Sequence, residues 1–131
     1  MANALVGKTT VKFFFICPDE KAVSALRIFF EGHMEFMQNK SHREGSLKLI
    51  QYEISEGPEW ANLEEFYDGK FPAKTGRTIF TLSEIYDTED GLHHHWMESK
   101  EFGPVLSTMM EENNIDLQVF NQMKIIQSLW D

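Results

Sequence analysis

Only one cysteine, Cys17, occurs in the 131 residues. The chain therefore forms no internal disulfide, and nothing in it points to an oxidising compartment. Basic residues are scarce, with 12 Lys and Arg against 21 Asp and Glu and a net charge of −9. That balance argues against nucleic acid or an anionic membrane as partner. No apolar run approaches the ~18 residues that span a bilayer. Lys12 interrupts the first apolar stretch and no small-residue cleavage site follows it, so no secretory signal is expected. A phosphate-cradling loop is missing too, because Gly7-Lys8-Thr9 has Ala2 where the first glycine of such a loop belongs. These absences predict a cytoplasmic globular chain, and its 15.3 kDa is one domain's worth. Area scaling predicts roughly 7,000 Å² of folded surface, about a third of that of the unfolded chain.

The pattern that is present alternates strand and helix. Thr9 to Cys17 is β-branched and aromatic, with Val11, Phe13, Phe15 and Cys17 on one face and Phe14 and Ile16 on the other. A strand apolar on both faces is expected to be buried on both. Asp19 is a fitting N-cap for a helix running to about Asn39, with Ala22, Val23, Leu26, Phe29, Phe30, His33, Met34 and Met37 forming one stripe. Leu47 to Glu56 alternates as a second strand, and residues 57–76 read as a linker containing a short helix opened by Pro58. Arg77 to Tyr86 is a third strand, again apolar on both faces. Asp87 to Asp90 starts a helical stretch that reaches Asn113-Asn114 and breaks near Ser99 or Gly103-Pro104, before a last strand within 115–130.

Residues 9–56 and 77–130 are thus two strand–helix–strand units. Their order is the β-α-β-β-α-β of a ferredoxin-like α+β fold, a single domain over 1–131 with one four-stranded antiparallel sheet. Both helices cover one sheet face. The other face is apolar as well, so a homodimer joined through sheet faces is expected.

The run from Leu82 to Ser99, Leu-Ser-Glu-Ile-Tyr-Asp-Thr-Glu-Asp-Gly-Leu-His-His-His-Trp-Met-Glu-Ser, resembles the antibiotic biosynthesis monooxygenase family. Glu84 falls on that family's strand glutamate, Tyr86 on its aromatic, His95 on its helix histidine and Ser99 to Phe102 on the continuation. Glu44-Gly45-Ser46 loosely matches a glycine signal before the second strand. The 20-residue connection between the second and third strands is longer than that family's hairpin. The resemblance implies two ferredoxin-like sheets paired as a dimeric α+β barrel. It also implies a cofactor-independent monooxygenase of quinol-like or polycyclic aromatics, with His95 as base or oxyanion partner and Glu84 orienting it. A haem-degrading relative would need a polar residue on the first strand, where Lys12 is a poor match for the usual asparagine.

The residues themselves leave alternatives open. His93, His94 and His95 point about 100° apart on a helix, so one metal cannot take all three. No His-x-x-His or His-x-x-x-His spacing occurs, so no metal is expected. Which of the three faces a cavity is open. A buried Glu84 beside a helix histidine is either a proton-transfer pair or a structural hydrogen bond. Phe14, Tyr52, Phe80, Tyr86 and Trp96 either line a pocket for a small aromatic ligand or are core. Cys17 is expected to be a buried inert thiol. The competing functional reading is a small dimeric ligand-binding or stress-related protein without catalysis.

Overall fold

A computed structural model describes residues 4–130. The elements are β1 (Thr9–Cys17), α1 (Glu20–Lys40), β2 (Leu49–Trp60), α2 (Glu64–Tyr67), β3 (Lys74–Tyr86), α3 (Glu89–Glu98), α4 (Phe102–Asn113) and β4 (Asp116–Lys124). The four strands form one antiparallel sheet in the order β2-β3-β1-β4, a ferredoxin-like α+β arrangement with β1 and β3 central.

Local chemistry sets the element ends. The Asp19 carboxylate accepts the Ala22 N–H at 2.9 Å and caps α1, and Thr88 caps α3 through the Gly91 N–H at 3.1 Å. Thr88 also donates to the Ser46 carbonyl at 2.6 Å, tying the start of α3 to the turn before β2. Gly91 packs closely on the backbone before β2, where a Cβ would sit 3.1 Å from the Leu47 carbonyl oxygen and force a small shift. The stretch expected to be one broken helix is two, parted at 99–101. Pro104 is the third residue of α4, where a missing N–H leaves no intrahelical bond unmade. Asn114 closes α4 in the left-handed region at φ 53°.

Period-two alternation puts Val11, Phe13, Phe15 and Cys17 on the helix-covered face, with Phe80, Leu82 and Tyr86 beside them from β3. Leu26 and Phe30 of α1 and Leu92 of α3 close this core. Met34, expected on the apolar stripe of α1, is instead exposed.

The connection after β2 differs from expectation. β2 continues through Gly57 and Pro58 to Trp60, with Pro58 opposite Thr78, so Pro58 opens no helix. Proline is tolerated there because β2 is an edge strand whose outer side needs no donor. Residues 61–73 form the tip of this long hairpin, where the rings of Trp60, Phe66 and Phe71 meet with centroids 5.6–5.9 Å apart.

The face away from the helices is partly wet. Phe14 and Phe120 pack edge-on at 5.6 Å and are 37% and 43% exposed, whereas Ile85 on the same face is buried. Lys12 crosses this face to the Ser83 hydroxyl at 2.6 Å. The accessible surface, 8715 Å², exceeds the roughly 7,000 Å² expected for a compact chain of this mass. Among the described residues no helix is long and apolar enough to cross a membrane.

Candidate functional site

A cavity of about 270 Å³ lies between the helix-covered face of the sheet and helices α1, α3 and α4. Its walls are Phe13, Phe15 and Leu82 from the sheet, Phe29 and Phe30 from α1, Trp96 from α3, and Phe102 and Leu106 from α4. Exposed Lys100 and Gly103 line it at the α3–α4 corner. Ser99 lines the same corner, and deeper in the wall His33, Glu84 and His95 interrupt the apolar lining.

Each comes from a different element. Position 84 shares the inward face of β3 with Leu82 and Tyr86, so its carboxylate is driven into the core and is fully buried. The Tyr86 hydroxyl donates to Glu84 Oε1 at 2.7 Å, while Oε2 has no partner among the described residues. His33 sits on the apolar stripe of α1, and its Nδ1 lies 2.8 Å from the Tyr52 hydroxyl of β2. His95 projects from α3 with Nε2 3.4 Å from Glu84 Oε1, longer than an ordinary hydrogen bond. One ligand atom from each of the three lies within 4.8 Å of the other two.

Burial dominates the electrostatics. It pushes His33 and His95 down to about 4, the second also by the neighbouring His33 and His94, so both imidazoles are neutral near pH 7. The same desolvation drives Glu84 up to about 7, partly opposed by the bond from Tyr86. The Tyr86 phenol is held far above its ordinary value by burial and by the adjacent carboxylate.

No protein-family profile and no curated protein matches the chain. Solved structures similar in arrangement include the following three. One, from Deinococcus radiodurans, is named "putative antibiotic biosynthesis monooxygenase" and has a TM-score of 0.47 at 11% identity, covering 92% of this chain and 99% of its own. The de novo designed protein Foldit4 has a TM-score of 0.45 at 9% identity, covering 88% and 99%. A "putative amidohydrolase/peptidase" from Burkholderia cenocepacia has a TM-score of 0.46 at 9%, covering 93% of this chain and 29% of its own. This chain thus spans under a third of that last protein. Likeness at this level decides no function.

Of the residues singled out from sequence, the structure brings Glu84, His95 and Trp96 into the cavity wall. Trp96 is fixed by its indole N–H, which donates to Asn121 Oδ1 at 2.8 Å. Tyr52 and Tyr86 stand behind the wall and hold His33 and Glu84. Phe80 is core, against Phe30 at 5.9 Å, and does not line the cavity. Phe14 lies on the opposite sheet face and cannot be a wall, because its neighbours at 13 and 15 take the inward positions. Among the three consecutive histidines, His93 is exposed and His94 meets His42, with Nε2 atoms 3.2 Å apart. His95 turns inward.

His33, absent from the sequence-derived candidates, completes the polar cluster. The spacing argument against a metal looked along one helix, whereas these donors come from α1, β3 and α3. The signal that could have found His33 is a pair of polar residues, His33 and Glu84, each on an otherwise apolar face and each needing a partner.

Proposed function

We propose that the chain is a monooxygenase of small quinol-like aromatics that needs no organic cofactor. The observation that carries this reading is a buried carboxylate–imidazole cluster at the wall of a cavity otherwise built of aromatic and aliphatic side chains. A cavity near 150 Å³ already holds benzene. At about 270 Å³ this one suits one or two fused rings better than a larger polycycle.

The chemistry asked of the protein is small. An aromatic slides between Phe13, Phe29, Trp96 and Phe102 with its hydroxyl toward the cluster. Neutral His95, beside Glu84, takes the hydroxyl proton. The resulting electron-rich anion passes one electron to dioxygen, and the radical pair joins at a hydrogen-bearing ring carbon ortho or para to the oxygen. The peroxide anion takes the proton back from the imidazolium. Loss of water from the C(H)–OOH group then leaves C=O at that carbon, with a second C=O where the hydroxyl was, so one oxygen atom enters the product and the other leaves as water. The substrate supplies all four electrons. Dry walls keep the anion and the imidazolium close, where their attraction is least screened.

We further propose that two copies pair through the open sheet faces, which would cover Phe14, Ile16 and Phe120. The large exposed surface supports this.

The test is oxygen uptake with a panel of naphthols, naphthoquinols and anthrones, alongside fluorescence titration of the same compounds. His95→Ala is expected to lower turnover by roughly 10²–10⁴ with ligand binding retained. Binding without oxygen uptake across the panel overturns the catalytic reading and leaves a ligand-binding protein.

A further inference from the structure

We propose that His33, Glu84 and His95 form a binding site for one divalent first-row transition ion of the zinc or iron class. Two imidazoles and one carboxylate are the donor set such ions prefer, and three protein ligands leave positions open. Ligand atoms about 2.0–2.2 Å from one ion stand roughly 3.0–3.5 Å from each other. Glu84 Oε1 and His95 Nε2 are already 3.4 Å apart, and all three donors converge within 4.8 Å.

Three further features belong to a metal site more than to packed core. Glu84 Oε2 is buried with no hydrogen-bond partner, an expense that a cation would remove. Tyr52 engages His33 Nδ1, and Tyr86 engages the carboxylate. Such outer partners fix the tautomer and aim of first ligands. The cavity also supplies an entry path at the α3–α4 corner.

Charge fits the substrate class as well. A divalent ion with one carboxylate keeps a net +1, which a phenolate in the cavity would neutralise. An ion here would occupy the His95 nitrogen that the oxygenase reading uses as its base, so the two are alternatives at one cavity, and this one is tested by binding with no turnover.

The experiment titrates EDTA-dialysed protein with Zn²⁺ by calorimetry and with Co²⁺ by visible absorption. One ion per chain is expected, with cobalt bands of a four- or five-coordinate nitrogen–oxygen site. Glu84→Gln, which keeps an acceptor for Tyr86, should weaken binding at least as much as Tyr52→Phe, for which roughly 10–100-fold is expected. Circular dichroism confirms that each variant is folded. Binding abolished by His94→Ala but untouched by Glu84→Gln would assign the ion to the surface His42–His94 pair and overturn the proposal, as would no binding at all. Metal binding without oxygen uptake leaves this inference intact and removes the oxygenase. Oxygen uptake by protein that binds no metal does the reverse.

Discussion

The Tyr86 hydroxyl lies 2.7 Å from Glu84 Oε1, two positions earlier on the same inward face of β3. One strand thus carries both a buried carboxylate and the donor that holds it. The bond occupies Oε1, and Oε2 is buried without a partner among the described residues.

Tyr86→Phe removes that donor while keeping the ring. Glu84, already raised to about 7 with the bond opposing the rise, should then titrate at higher pH. Carboxyl infrared bands of Glu84 across pH report the change. Stability should fall by about 1–3 kcal/mol, the usual cost of stranding a buried polar group. An unchanged Glu84 midpoint would mean the bond does not form.

The three buried groups give metal-free protein a stability maximum near pH 6.5. Each histidine goes from an ordinary value of 6.5 down to about 4 on folding, so it favours the unfolded chain as pH falls through that window. Glu84 goes from 4.5 up to about 7, and favours the folded chain as pH falls through its own. Between 4.5 and 6.5 the unfolded state therefore binds one more proton, and stability rises by about 1.4 kcal/mol per pH unit. Between 6.5 and 7 it falls again. In Glu84→Gln the slope below 6.5 should double and the fall above it should vanish, which urea midpoints in EDTA will show.

Phe15→Ala should cost roughly 3–5 kcal/mol, because the ring is 1% exposed and packs on Phe13 and Phe30. Urea unfolding measures it, and a loss below about 1 kcal/mol would place β1 outside the core.

Sedimentation should show a dimer at micromolar concentration, and Phe14→Asp should shift it to monomer. A stable pair needs more than ~1,000 Å² buried, more than the Phe14–Phe120 contact alone supplies, so the whole open face must take part. A monomeric parent protein would end the pairing proposal.

Much of the fold was legible because its signals are local. The doubled apolar faces of β1 and β3 announce central strands, and Asp19, Thr88 and Asn114 mark helix ends by their own side-chain or backbone chemistry. Pro58 misled, since a proline's neighbours do not reveal that it sits on an edge strand. The site was half legible. Glu84 stands out as a carboxylate in a greasy strand, but His33 reads as one more member of an apolar stripe until Tyr52, Glu84 and His95 arrive from other elements. Phe14 failed as a wall residue for the opposite reason: an aromatic's identity does not say which way the pleat turns it.

Pro58 has a second consequence at the rim of the sheet. It removes a backbone donor from β2, whose flank is also guarded by the ion pairs Arg27–Glu56 and Arg77–Glu59. On the far rim, the register slip between β1 and β4 near Thr10 and Lys12, together with Gln122 at φ 54°, disrupts a straight ladder. Neither flank offers a clean row of donors and acceptors to a newcomer. Strand-by-strand polymerisation, the hazard of every open sheet, meets an irregular rim at both ends.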